Sequence, residues 1–236
     1  MMTNTNGRSA GVEAVDRALV ILKSFSDASP KQTLTELTTR AGLPKSTVLR
    51  LTKSLVRQGF LSRDESGIFR LGSAVWQLGH VYDRALDLSA FVRPALARLM
   101  AKTTETAAFY VRAGDLRVCL YRHDCAHPIG PRNVHEGTQL PLDRGAAGHV
   151  LLAYTDEPGP LYDGIRRNGF YLTIGERDPH SAGIAAPVFG AGDRFVGTIS
   201  VVGPRSRLEP TIHTTIKEAV TDAAAELSPD FSPHGR

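Results

Sequence analysis

Only two cysteines, Cys119 and Cys125, occur in 236 residues. That is too few for a disulfide framework and fits a reducing compartment. No apolar run approaches the roughly 18 residues that a membrane span needs. The polar start, Met1 to Gly11, lacks the apolar centre of an export signal, so a cytoplasmic protein is expected. No Gly-x-Ser-x-Gly, His-Glu-x-x-His or P-loop pattern occurs, which leaves three motif-bearing enzyme classes without support. The Gly190-Ala-Gly192 triplet lacks the third glycine of a dinucleotide loop and falls between two strand-like stretches, so it reads as a hairpin turn. No catalytic residue, cofactor or metal is expected.

The most informative absence is of acidic charge. Between Glu36 and Asp64 there is no Asp or Glu at all, while Arg40, Lys45, Arg50, Lys53, Arg57 and Arg63 fall in that interval. Residues 1–72 hold 11 Lys/Arg against 6 Asp/Glu, a net of +5; the remainder holds 17 against 18, a net of −1. A solubilising surface usually mixes both signs, whereas charge this local attracts a polyanion. The hydrophobic share of 42% and charged share of 22% are those of an ordinary globular protein, and the length suits two modest domains.

Along the chain, residues 1–11 read as a disordered arm. Val12, Val15, Leu19 and Leu22 recur at helical spacing to about Phe25. Thr33-Leu-Thr-Glu36 has the form of a capping box and opens a short helix that Gly42 ends. Leu43-Pro44 opens a third helix, Lys45 to about Gln58, since proline is tolerated where an N–H has no helical partner. Val48, Leu51 and Leu55 form its inward stripe; Ser46, Arg50, Lys53 and Arg57, flanked by Thr47 and Ser54, form the other. Phe60–Arg63 and Ile68–Leu71 alternate like two strands around the turn-forming Asp64–Gly67.

Helix, helix, tight turn, helix and hairpin is the order of a winged helix-turn-helix, whose third helix fits a major groove. Short Ser46 and Thr47 permit close approach to base edges, and Arg50 one turn later reaches a guanine. The plainer reading is that a basic amphipathic helix is only a solvated face. The DNA-contacting set is expected to be Thr33, Lys45, Ser46, Thr47, Arg50, Lys53, Arg57 and Arg63.

Further on, Ser73 to Leu88 has the pattern of a linker or dimer helix, and Phe91 to Ala101 continues helical after Pro94. Ala107–Arg112 and Leu116–Arg122 read as a hairpin, Gly145–Tyr154 as a helix, Ala185–Phe189 and Phe195–Val202 as strands, and Thr211–Leu227 as a closing helix. A sheet wrapped by helices holds a ligand between its face and the Gly145 helix.

The stretches "AVDRALVILKSF", "LTELTTRAGLPKSTVLRLTKSLVRQGFLSRD", "FRLGSAVWQLG" and "GERDPHSAGIAAPVF…GTISVVGP" resemble the IclR family of bacterial regulators, in order and over nearly the whole chain. The resemblance implies an α+β protein. A winged helix-turn-helix (12–72) is joined by a linker helix (73–88) to a GAF-like effector domain (89–230) of mainly antiparallel sheet flanked by helices, with a tail at 231–236. It also implies a homodimer or dimer of dimers on a palindromic double-stranded operator, with binding modulated by a small molecule, typically an organic or aromatic acid. The effector site implied by the resemblance comprises Arg144, Gly145, Ala146, Ala147, Glu176, Asp178, Gly183, Ser200 and Val202. Free N–H groups at the start of the Gly145 helix favour a carboxylate; the plainer reading of these small residues is close packing. Arg144 either neutralises an acidic ligand or pairs with Asp143. Gly183 and Val202 stand where small-acid binders carry Cys and Ser, so a less polar pocket is expected. Between Tyr154 and Gly169 the chain looks shortened by a helix and loop, which reduces the pocket's lid.

Two other functions remain open. His123, Asp124, Cys125, His127 and His135 suggest a metal- or redox-responsive regulator, although their spacing matches no structural zinc pattern. An enzyme in residues 105–228, with the basic region serving localisation, needs a nucleophile–base pair that does not emerge.

Overall fold

Thr33 and Glu36 set the first helix boundary of the basic region: the Glu36 amide donates to the Thr33 hydroxyl (3.2 Å), and the Thr33 amide donates to the Glu36 carboxylate (2.7 Å). This satisfies two amides that the first helical turn would otherwise leave unpaired. In this computed structural model, which describes residues 11–26, 28–86, 88–125, 134–155 and 157–230, the helix so capped is α2 (Leu34–Ala41), preceded by α1 (Glu13–Lys23). Gly42 ends α2 in the left-handed region, φ 64°, and α3 follows over Lys45–Arg57. Strands β1 (Leu61–Arg63) and β2 (Phe69–Leu71) pair antiparallel. Gln32 and Phe69 exchange both backbone hydrogen bonds (3.0 and 2.7 Å), tying the entry to α2 onto the hairpin. Ile21, Leu37, Val48, Leu55, Leu61 and Phe69 form the core of this unit. Helix α4 (Ser73–Leu86) follows.

The chain divides into two units at Ala85 and Leu86. The second begins with α5 (Ser89–Thr103), which contains Pro94. Strands β3 (Thr106–Ala113), β4 (Leu116–His123) and β5 (Gln139–Pro141) precede the helices α6 (Ala146–Ala153) and α7 (Pro160–Asn168). After them come β6 (Tyr171–Ile174), β7 (Ser181–Gly190), β8 (Arg194–Pro204), α8 (Arg205–Leu208) and α9 (Thr215–Asp230). The six strands form one sheet in the order β5-β4-β3-β8-β7-β6, every neighbour antiparallel. A single turn of 3₁₀ helix, Ala191–Asp193, joins β7 to β8, so the glycine triplet is a hairpin turn.

Side chains alternate between the two faces. Phe109, Ile184, Ile199 and Val201 meet Val92, Leu96 and Leu99 of α5 and Ile216, Val220 and Leu227 of α9. Ala108, Tyr110, Cys119 and Ala185 turn the other way, onto α6 and Ile165 of α7. Every residue of α6 is buried, as a helix apolar on all sides must be.

Several details depart from the sequence reading. On α1 only Ile21 is buried; Val12, Val15 and Leu19 are exposed. In α3 the inner stripe is Val48, Thr52 and Leu55, with Leu51 only partly covered. The linker helix stops at Leu86, and Leu88 is buried at the start of α5. Helix α7, between Tyr154 and Gly169, was not among the expected elements; Pro160 begins it and left-handed Gly169 ends it. Strands β5 and β6 were not foreseen. The arm expected over 1–11 lies outside the described residues up to residue 10, as does the tail expected over 231–236. No helix among the described residues is long and apolar enough to cross a membrane.

Candidate functional sites

The first candidate is the outer face of α3. Lys45, Ser46, Arg50, Lys53, Ser54 and Arg57 are exposed and Thr47 is half-buried. Among the described residues, no ion pair engages Lys45, Arg50, Lys53 or Arg57. Four uncompensated cations on one helix make a surface that a polyanion neutralises. The hairpin beside it holds Arg63 over the Phe69 ring, 5.3 Å from its centroid. Thr33 sits at the start of α2 with its hydroxyl and amide both engaged by Glu36, so its structural task is capping. The eight residues expected to contact DNA all lie in this first unit.

The second candidate is a cavity of about 50 Å³ between the sheet and the start of α6. Of the residues expected there, Gly145, Ala146, Ala147, Glu176, Gly183, Ser200 and Val202 line it together; Arg144 and Asp178 do not. Arg144 is exposed and pairs with no acid among the described residues, Asp143 included. Asp178 instead shapes the β6–β7 turn by accepting from the His180 amide (3.0 Å).

The expectation of free amides at the helix start needs a correction. The Gly145 amide donates to the Glu176 carboxylate (2.8 Å), whose other oxygen accepts from His149 Nε2 (2.7 Å). A carboxylate from the chain itself thus occupies part of the place expected for a ligand's. The amides of Ala146 and Ala147 have no acceptor among the described residues. Ser200 donates its hydroxyl to the Ala108 carbonyl (3.3 Å).

The buried cation of the cavity is Arg117, which the sequence reading missed. It is 3% exposed, lies on β4 and lines the cavity with Tyr110 and Arg177. Its Nη1 donates to the carbonyls of Pro141 (2.8 Å) and Arg144, and the guanidinium stands 5.6 Å from the centroid of the Tyr110 ring. Its Nε has no acceptor, and no acid pairs with it, among the described residues. Burial pushes the Arg117 guanidinium below its ordinary range, and burial likewise raises the Tyr110 phenol to about 12. A buried cation without a counter-ion is costly unless something anionic arrives. One signal was available: in Leu116–Arg122, Arg117 shares its alternating register with Cys119 and Tyr121, and all three are buried. Gly148 was missed as well. A β-carbon there would fall on the Leu142 carbonyl and on Arg117 Nη1, so this glycine lets the arginine reach the helix.

In the segment that suggested metal or redox sensing, His127 lies outside the described residues. Asp124 pairs with Arg122 (2.6 Å), and Thr106 donates its hydroxyl to the Cys125 sulfur (3.6 Å). Outside that segment, burial raises the thiol of the other cysteine, Cys119, to about 11. Among the described residues no three His, Cys, Asp or Glu side chains are grouped to hold a metal ion.

The IclR helix-turn-helix domain family matches residues 14–65, and the family of bacterial transcriptional regulator IclR C-terminal domains matches residues 162–229. The HTH-type transcriptional regulator BhcR of Paracoccus denitrificans is 31% identical over 254 residues, covering 95% of this chain and 89% of that protein. The HTH-type transcriptional repressor AllR of Escherichia coli K12 is 25% identical, with 92% and 90% covered. Among solved structures, an IclR homolog of Microbacterium hydrocarbonoxydans complexed with 4-hydroxybenzoate superposes with a TM-score of 0.79 at 23% identity, covering 93% of this chain and 99% of that one.

Proposed function

The chain belongs to the IclR family of bacterial transcriptional regulators, and on that basis we propose that it is a cytoplasmic, non-enzymatic regulator that binds a palindromic double-stranded operator as a homodimer or dimer of dimers and responds to a small organic acid. The observation that carries the DNA-binding part is the unpaired basic face of α3, in an interval of chain with no acidic residue. Lys45, Ser46, Thr47 and Arg50 head the face that enters the major groove, and Lys53, Arg57 and Arg63 flank it toward phosphates. Residues 12–72 form the reading domain, helix 73–86 the linker and the chain from Leu88 to residue 230 the sensor.

A single winged domain contacts too few base pairs for a specific affinity on the order of nanomolar, which calls for a second copy. The exposed apolar side chains of α1 (Val15, Leu19, Val20), of Val12 just before it, and of α4 (Trp76, Leu78, Val81, Tyr82) supply a surface for it. The effector site is the cavity lined by Arg117, Gly145, Ala146, Ala147, Glu176, Gly183, Ser200 and Val202. A relative of the same fold holds 4-hydroxybenzoate, which supports an acid. The name of the repressor AllR supports repression as the mode.

The test is an electrophoretic shift titration on promoter DNA neighbouring the gene, at several salt concentrations. Sequence-specific binding that weakens linearly on a log–log salt plot is expected. Equal affinity for promoter and competitor DNA would overturn the reading.

A further inference from the structure

The effector cavity has an asymmetric charge inventory. Two cations, Arg117 and Arg177, and one carboxylate, Glu176, line it; Asp143, the other acid whose charge acts on Arg117, is exposed and outside the lining. Glu176 is spent on the Gly145 amide and on His149, and pairs with neither arginine. It lies in the β6–β7 turn with a third of its side chain exposed (33%), whereas Arg117 is buried. Of the two cations without an ion pair among the described residues, Arg117 is therefore the deep one, and the carboxylate is shallow. Arg117 Nη2 is 3.4 Å from where a β-carbon would stand on Gly145, which brings it beside the unpaired amides of Ala146 and Ala147.

Resting on the reading of this cavity as the effector site, we infer that Arg117 takes the acid group of the effector and that Glu176 restricts the site to ligands with a single negative charge. The free volume of about 50 Å³ accommodates a carboxylate-sized group, given that a water molecule's share of liquid is about 30 Å³. It is far below the roughly 300 Å³ of a pocket for a whole ligand. The acid group enters this space, and the ligand's body extends toward the turn that carries Glu176. A second acid group on that body meets the Glu176 carboxylate, and because Arg117 and Arg177 exceed Glu176 by only one charge, the first acid group already offsets the excess. A neutral amide of the same shape leaves Arg117 uncompensated.

The experiment uses the full chain and matched probes: acetate, propionate and 4-hydroxybenzoate, their primary amides, and the dicarboxylates malonate, succinate and terephthalate. Melting temperature and calorimetric titration are read for wild type, Arg117→Met, Arg117→Lys and Glu176→Gln. At least one monocarboxylate raises the wild-type melting temperature, and its amide does not. Arg117→Met loses that response by at least about tenfold in affinity, as expected for a charge-assisted hydrogen bond, while Arg117→Lys keeps part of it. Glu176→Gln gains binding of a dicarboxylate that wild type ignores, a gain that a merely structural role does not produce. If Arg117→Met fails to fold, the Glu176→Gln gain decides alone. Amides that bind as well as acids, dicarboxylates favoured by wild type, no response to any monocarboxylate, or a Glu176→Gln protein with unchanged preference would each overturn the inference. An operator shift on the same wild-type sample separates the two levels. A protein that binds its operator but fails these tests loses only the charge rule; one that fails to bind DNA loses the regulator reading.

Discussion

Arg117 on β4 and Gly148 on α6 are fitted to one another: the guanidinium reaches the Pro141 and Arg144 carbonyls only because residue 148 has no side chain to obstruct it. Gly148→Ala must displace both the Leu142 carbonyl and Arg117, or shift the helix away from them. Overpacking of this kind costs about 1–3 kcal/mol, more where backbone is struck. Urea unfolding of the variant should show that loss, together with a weaker response to carboxylates. Wild-type stability with a full response would mean that the helix shifts freely.

The reciprocal cap of Thr33 and Glu36 predicts that Thr33→Ala lowers the stability of the first unit by about 1 kcal/mol, while Thr33→Asn retains most of it. The first unit is largely helical, so far-ultraviolet circular dichroism in urea reports its unfolding. Hydrogen bonds from the Thr33 backbone, then from its side chain, hold the Glu36 carboxyl below its ordinary range. A depressed carboxyl stabilises above its unfolded value and stops doing so as the pH falls through its folded one. The difference between wild type and Glu36→Gln should therefore shrink in acid. If Thr33→Asn keeps the stability yet loses the operator, the hydroxyl contacts DNA as well.

On α3, Arg50→Ala should lose roughly 1–3 kcal/mol of discrimination at one base position. Lys53→Ala should weaken all sequences alike and reduce the salt slope by about one unit, because a phosphate contact carries no sequence information. Two variants that bind like wild type in salt-titrated shift assays would place the reading face elsewhere.

The exposed apolar side chains of α1 and α4 predict association. Trp76 is 69% exposed and Val81 55%, values hard to reconcile with an isolated chain in water. Light scattering should give a dimer or larger species for wild type and a smaller one for Trp76→Glu combined with Val15→Glu. The variant should also bind its operator more weakly. Wild-type monomer at micromolar concentration, with and without DNA, would exclude the paired form.

Much of the first unit was legible in sequence because its determinants are local. A cap spans three residues, Gly42 closes a helix by its own backbone, and Asp64 organises its turn by accepting from the Ile68 amide (2.9 Å) and the Ser66 hydroxyl (2.6 Å). The second unit resisted where determinants are distant. Glu176 meets Gly145 across 31 residues, and Arg117 meets carbonyls 24 and 27 residues away. Nothing in the spacing announces either contact. Arg144 misled for the opposite reason: it adjoins Gly145 in the chain, but its side chain points to solvent while its carbonyl faces the cavity's arginine. Strand β6 offered no alternation to read, since all four of its residues are half-buried.

The sheet order has a consequence for biosynthesis. Strand β3 has β8 as its inner neighbour, and Tyr110 pairs with Thr198, so the middle of the sheet is empty until the ribosome has made almost the whole chain. The cavity takes walls from both of these strands and from β7, and long-range pairing of this kind forms late and slowly. The basic unit, whose core is complete by Phe69, folds first during synthesis. For the interval between the two events a nascent chain carries a finished DNA-reading surface and no means of sensing an effector.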